Sequence, residues 1–119
     1  MLPAAGQGAL AVQCRADDAA LIAQLAVLDD VGTRACVTAE RSFLAGLDGS
    51  CRTPIAALAI PHGASDQTAL LHGRLMAENG MEFVEDTCRF DPADLDSAYA
   101  AGTQLAENLR ARAPHLVTT

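Results

Sequence analysis

The residue in this sequence best suited to covalent chemistry is Cys51. It lies in the run Asp48-Gly49-Ser50-Cys51-Arg52-Thr53-Pro54. A thiol among small residues is reachable, and a neighbouring guanidinium favours the thiolate, which is the nucleophile. Local context alone does not decide the matter, because a loop cysteine is more often an incidental free thiol. Cys36 falls on an apolar helix face and Cys88 in a strand, so both read as small core residues. Cys14, beside Arg15, also reads as structural. No two cysteines are spaced C-x-x-C, so neither a zinc knuckle nor a redox dithiol is suggested.

Arg15 follows an apolar segment that begins in the glycine-rich stretch Gly6-Gln7-Gly8. Arginine forms bidentate hydrogen bonds with carboxylates, although a plain surface arginine is the simpler reading. Glu40 and Arg41 are adjacent on a helix, so they face different neighbours. His62, His72 and His115 show no ligand spacing, and neither a metal constellation nor a Ser-His-Asp arrangement emerges.

The elements that must position these residues follow from patterning. Residues 1–8 are loop chemistry, with Pro3, Gly6 and Gly8, and residues 9–14 read as a short strand with no partner directly after it. Asp17 or Asp18 caps a helix over 18–28, with Leu21, Ile22, Leu25 and Leu28 on one face. Thr33 opens a second helix to Leu47, and Gly49 is a natural stop. Residues 55–60, 68–77 and 82–90 read as strands, with a hairpin at Asn79-Gly80. Asp91-Pro92-Ala93-Asp94 starts a helix to Arg112 with Leu95, Ala98, Tyr99, Leu105 and Leu109 inward, closed by Pro114. The order predicts an α+β two-layer sandwich: a three-stranded antiparallel sheet covered on one face by three helices, plus the N-terminal strand.

The bulk numbers narrow the function. The 119 residues suffice for one domain, and half of them are hydrophobic but only 3% aromatic, so the core must be built from Ala, Leu, Val and Ile. The net charge of −7 argues against nucleic acid and anionic membranes as partners. The first residues do not read as a signal peptide, and no apolar run approaches about 18 residues. The expectation is reduced thiols in a cytoplasmic setting.

Two stretches carry a resemblance. One is Leu2-Pro3-Ala4-Ala5-Gly6-Gln7-Gly8-Ala9-Leu10 closing on Cys14-Arg15. The other is Thr38-Ala39-Glu40-Arg41-Ser42-Phe43-Leu44 followed by Leu47-Asp48-Gly49-Ser50-Cys51-Arg52-Thr53-Pro54-Ile55. In order and spacing they resemble the hydroxymethylbilane synthase (porphobilinogen deaminase) family, whose pattern is L-P-x-x-G-Q-G-A-L then C-R, and later A-E-R with L-x-G-G-C-x-x-P-I. This chain has Ser50 where glycine is usual, Arg52-Thr53 in place of a commoner polar-apolar pair, and Ala56 where glycine is usual.

The resemblance implies that residues 1–16 are the terminal strand and connection of a first domain that is otherwise missing, and that residues 17–119 form the cofactor-attachment domain. It implies that Cys51 anchors a dipyrromethane by a thioether. Four porphobilinogens then condense on that cofactor with loss of ammonia, and hydroxymethylbilane is released by hydrolysis. That is a transferase step in tetrapyrrole and heme biosynthesis. Arg15 falls on a position that holds pyrrole carboxylates, and Gln7 and Gly8 fall on the loop lining the same cleft. The family's catalytic aspartate lies in the missing first domain. The expectation is therefore no catalytic residue in this chain, no activity on its own, an unmodified Cys51 and no metal. Its partners are the missing N-terminal domains and, through bare apolar surface near the N-terminus, a second copy. Two rival readings are a stand-alone non-catalytic ligand-binding or interaction module of the same fold, and a thiol enzyme using Cys51 with a histidine.

Overall fold

Residues 69–76 alternate strictly, with Ala69, Leu71, Gly73 and Leu75 buried and Leu70, His72, Arg74 and Met76 half-buried. A period of two places one set of side chains against helices and the other on the opposite face. In the computed structural model, which describes residues 2–47, 54–61 and 68–117, these residues form the middle strand of a three-stranded antiparallel sheet. The strands are β1 (Ile55–Pro61), β2 (Ala69–Met76) and β3 (Phe83–Phe90). Ile55 pairs with Leu75 and Pro61 with Ala69, while Ala69 pairs with Phe90 and Met76 with Phe83.

The helices are α1 (Ala19–Leu25), α2 (Val31–Leu47) and α3 (Leu95–Arg112). The two-layer α+β architecture is as expected. The covering is done by α2, which leans on β1, and α3, which leans on β3, with the two helices packed along each other. Helix α1 has no buried residue; Leu21, Ile22 and Leu28 are exposed, and a 3-10 turn at Ala26–Leu28 ends the segment.

Small residues set how closely these layers approach. The largest fully buried side chains are Phe43, Leu47, Leu71, Leu75, Leu105 and Leu109, and alanines fill much of the rest. A Cβ placed on Gly102 of α3 would lie 2.5 Å from the Ala39 carbonyl oxygen of α2, and one on Gly73 would lie 2.5 Å from the Phe43 ring. The helices are also stitched by polar contacts. Ser42 Oγ donates to the Tyr99 carbonyl (2.6 Å), and Arg110 donates to the Gly46 carbonyl in the last turn of α2. These contacts satisfy a buried hydroxyl and one of the carbonyls orphaned at a helix end.

Several boundaries depart from the sequence reading. Residues 9–14 pair with no strand among the described residues, and Leu10 is 99% exposed. A strand is made by its partner's hydrogen bonds, and no sheet edge lies alongside this segment. Helix α2 starts at Val31 rather than Thr33, because Asp30 supplies the cap: its Oδ2 accepts from the Thr33 N–H (3.0 Å) and hydroxyl (2.5 Å). These two bonds hold the Asp30 carboxyl below its usual range.

Asp94, not Asp91, caps α3, since its carboxylate accepts from the Asp96 N–H. Asp91 instead closes the preceding turn by accepting from Ala93 N–H. Tyr99 (60% exposed) and Leu95 (39%) face outward, and Ala101, Gly102 and Ala106 take the inward positions. The hairpin forms, but with Ala77 paired to Glu82 across four intervening residues. Only Gly80 of the Asn79-Gly80 pair adopts a left-handed backbone (φ +72°), so the turn is longer than the tight two-residue type.

Candidate functional site

The Gly-Gln-Gly stretch is folded into consecutive turns. The Gln7 N–H donates to the Ala4 carbonyl and the Ala9 N–H to the Gly6 carbonyl, both at 3.2 Å. The Gln7 side-chain oxygen accepts from the Ala4 N–H (3.2 Å), which leaves its NH2 group as a donor. Gly6 has φ +70°, a conformation glycine adopts without a Cβ penalty. This segment lies against the edge of the sheet, where the Pro3 carbonyl accepts from the Ala57 N–H of β1 (2.9 Å).

Glu40 is the keystone of this contact. It sits on α2, 5% exposed, and is the one buried carboxylate among the described residues. Its Oε1 accepts from the Gly6 N–H at 2.7 Å and its Oε2 from the Ala59 N–H of β1 at 3.0 Å. Charge-assisted bonds of this kind are stronger than neutral ones and offset the cost of burying a carboxylate. Together with Pro3 they also satisfy edge N–H groups of β1 that would otherwise template another strand.

Sequence reasoning gives Glu40 and Arg41 different neighbours, but both meet Gly6: Glu40 accepts from its N–H, and the exposed Arg41 brings its Nε to 3.9 Å from where a Gly6 Cβ would lie. That reasoning did not identify Glu40 as a binding group. The signal was present, since Glu40 falls on the apolar stripe of Cys36, Phe43 and Leu47 at helical spacing, where an unpartnered acid would be costly.

Beside Glu40 a cavity of about 270 Å³ opens between the turn, α2 and β1. Its lining includes Gln7 and Gly8, together with Cys36, Val37 and Leu58. A Cβ at Gly8 would meet nothing within 4 Å, so the backbone there is open to approach. Cys36 is 8% exposed, and burial, with Glu40 and Asp30 nearby, pushes its thiol up. It is a neutral core thiol, as the helix pattern indicated. Burial and Asp86 likewise push up the half-buried Cys88 thiol.

The structure brings Gln7 and Gly8 together at this cavity. Arg15 is exposed, does not line it, and makes no ion pair among the described residues. Cys51 lies outside the described residues, as does His62; in sequence, Cys51 belongs to the connection from α2 to β1.

A second polar cluster occupies the opposite face of the sheet. Glu85 Oε2 accepts from Arg74 Nε (2.9 Å) and Nη2 (2.7 Å) and lies 3.3 Å from His72 Nε2. The Arg74 hydrogen bonds hold the Glu85 carboxyl below its usual range. The Arg74 guanidinium also sits 4.8 Å from the Phe83 ring centroid. Among the described residues no group of His, Cys, Asp and Glu could hold a metal ion, and no helix is long and apolar enough to cross a membrane.

Comparison with known proteins gives one consistent family. Residues 34–111 match the family described as "Porphobilinogen deaminase, C-terminal domain". The chain is 48% identical over 114 residues to the porphobilinogen deaminase of Paracoccus denitrificans, covering 96% of this chain and 34% of that protein. It is 45% identical over 115 residues to porphobilinogen deaminase 1 of Streptomyces coelicolor, covering 94% and 36%. A 59-residue stretch, half of this chain and 19% of the relative, is 61% identical to the porphobilinogen deaminase of Mycobacterium tuberculosis. The chain thus spans about a third of the length of the curated relatives it matches along most of its own length.

Proposed function

The chain belongs to the porphobilinogen deaminase C-terminal domain family, and on that footing we propose that it serves as the cofactor-anchoring domain of a porphobilinogen deaminase, with Cys51 as the attachment point of a dipyrromethane. The observation that carries this reading is that the matched stretch, residues 34–111, contains Cys51 in the connection from α2 to β1, while the edge of β1 receives the turn bearing Gln7 and Gly8. The domain would act in a transferase of tetrapyrrole and heme biosynthesis, with porphobilinogen as substrate and a cytoplasmic setting that keeps the thiol reduced.

The donor chemistry of the described residues suits such a group. Each pyrrole of the cofactor and substrate carries carboxylates, and Arg15 presents an exposed guanidinium able to bind them in a fork. The Gln7 amide keeps its NH2 as a donor, and the open backbone at Gly8 admits close approach. When bound, the dipyrromethane supplies the electron-rich pyrrole terminus at which four porphobilinogen units condense. Cys51 would hold that terminus in one molecule with the site, so that each addition becomes an oriented step rather than a bimolecular encounter. Arg15, Gln7 and Gly8 would bind and orient the growing chain. We assign no proton-transfer residue to this chain, and we expect the 119 residues on their own to be inactive and Cys51 in them to be unmodified.

The test is intact mass and porphobilinogen consumption, with and without Cys51→Ser. In the complete enzyme the parent should carry an added mass of two pyrrole units and form hydroxymethylbilane, and the variant should do neither. A Cys51→Ser variant that keeps the added mass would rule out this attachment point. A two-pyrrole increment on the isolated 119-residue chain would contradict the expectation that cofactor assembly needs the rest of the cleft.

A further inference from the structure

Glu40 has no role in the reading above, yet it makes the one side-chain link between the Gly-Gln-Gly turn and both framework elements that flank the Cys51 connection among the described residues. We propose that Glu40 is a positioning residue: its two carboxylate oxygens grip Gly6 on the turn and Ala59 on β1, and so set where Gln7 and Gly8 stand relative to α2 and β1, the elements from which that connection starts and ends. The inference rests on the reading that Gln7 and Gly8 line the substrate cleft.

The chemistry of the grip is specific to a carboxylate. Oε1 takes the Gly6 N–H at 2.7 Å and Oε2 the Ala59 N–H at 3.0 Å, so both oxygens act as acceptors toward backbone donors 34 and 19 residues away in sequence. A glutamine of the same shape offers one acceptor and one NH2 donor. It can satisfy one of the two N–H groups, and must then set a donor against the other. An aspartate is shorter by one methylene and cannot span the same gap from α2. The left-handed backbone at Gly6 belongs to the same device, because it shapes the turn whose N–H reaches the carboxylate. The helix side of the grip is held firmly: Glu40 lies between Cys36 and Phe43 on the buried stripe of α2, with Ala39 fully buried beside it.

Two measurements test the inference. In the 119-residue chain, amide exchange followed by NMR should show Gly6 and Ala59 protected. In Glu40→Gln at least one of them should exchange about tenfold faster or more, a change of about 1.4 kcal/mol at that site. Amides of the β2–β3 ladder should keep their protection, which shows that the fold persists. Gly6→Ala, which leaves the carboxylate intact but disfavours the turn's backbone, should release the Gly6 amide and perturb Gln7 and Gly8 in the same direction. Unchanged protection at both Gly6 and Ala59 in Glu40→Gln overturns the grip.

In the complete enzyme, Glu40→Gln should retain the cofactor mass on Cys51 while KM for porphobilinogen rises about tenfold with a smaller change in kcat. Glu40→Asp should fail to restore the parent KM. If Cys51→Ser abolishes product but Glu40→Gln leaves KM unchanged, the positioning role is wrong and the attachment reading stands. If Cys51→Ser keeps both cofactor mass and product, the attachment reading fails, and the Gly6 and Ala59 amides still judge the grip by themselves.

Discussion

Replacing Gly102 by alanine should destabilise the domain, although alanine is the better helix former. Gly102 lies inside α3, where exchange for alanine at an open site would gain about 0.8–1 kcal/mol. Here the new Cβ would lie 2.5 Å from the Ala39 carbonyl oxygen, 2.6 Å from the Phe43 nitrogen and 2.6 Å from the Ser42 Cβ. Ordinary contact begins at 3.4 Å, so the shortfall is about 0.9 Å. Two of the three atoms are backbone and cannot turn aside, so α2 and α3 must separate. Overpacking of this kind costs about 1–3 kcal/mol. Separation also strains the 2.6 Å bond from Ser42 to the Tyr99 carbonyl, which contributes about 1 kcal/mol. Set against the propensity gain, the net loss is about 1–3 kcal/mol, a fall in Tm of roughly 5–20 °C for a domain of this size. Thermal and urea unfolding followed by circular dichroism would measure it. The matched control is Gly32→Ala in the first turn of α2, where the nearest neighbour of a new Cβ is the Asp30 carboxylate at 3.8 Å. That variant should hold or gain stability. The reasoning is refuted if Gly102→Ala is as stable as the parent, or if both substitutions shift the midpoint in the same direction.

Gly73→Ala should also destabilise, because its Cβ would lie 2.5–2.9 Å from three atoms of the Phe43 ring. Pairing it with Phe43→Leu should recover at least about 0.5 kcal/mol relative to the sum of the single effects, measured by a double-mutant cycle. Arg74 lowers the Glu85 carboxyl pKa in the folded state, so this pair stabilises above the ordinary glutamate range and loses its contribution as pH falls through the lowered value. Unfolding midpoints followed against pH should therefore show a shallower acid limb in Glu85→Gln than in the parent; identical acid limbs would contradict the assignment. The raised Cys36 thiol, 8% exposed, should be alkylated much more slowly in the native chain than in urea. Peptide mapping by mass spectrometry reads this directly, and equal rates in both conditions would place Cys36 outside the core.

What the sequence made legible was the periodic part of the molecule. The alternation of Ala69, Leu71, Gly73 and Leu75 and the stripe of Cys36, Phe43 and Leu47 each have a single buried solution, so the strands and α2 come out with ends displaced by a residue or two, and α3 with a start displaced by three. The failures are where a local pattern needs a tertiary partner. Residues 9–14 look apolar enough for a strand, but β pairing depends on an edge to meet, and the three described strands offer them none. Asp91-Pro92 has the chemistry of a helix start, yet Asp94 competes for the same task and wins, leaving Asp91 to close the turn before it. Apolar character alone puts Tyr99 and Leu95 inward, whereas the close approach of α2 and α3 admits only small residues at that contact. At the candidate site, Gln7 and Gly8, which a motif singles out, line the cavity, while Glu40 is hidden by its own polarity: an acid on a helix is ordinarily solvated, and only its place on the buried stripe marks it.

The small-residue packing and the Glu40 grip bear on the same helix, and this links the stability of the domain to its proposed task. Phe43 meets Gly73 on the sheet, and Ala39, Ser42 and Phe43 meet Gly102 on α3, so α2 is clamped from two sides within one turn of Glu40. From Glu40 to Leu47, where the connection bearing Cys51 begins, is seven residues, or about 10 Å at the helical rise of 1.5 Å per residue. A helix held by close backbone contacts behaves as a rigid strut over that length, since displacing it means opening contacts that have no slack. Substitutions at Gly102 or Gly73 that leave the domain folded should therefore also disturb the Gly6 amide, far from either glycine in sequence, because they shift the base on which Glu40 stands. Were the Gly6 amide to keep its parent shift and protection in Gly102→Ala while the unfolding midpoint falls, α2 would be yielding locally, and the strut argument would fail even if the grip itself survived.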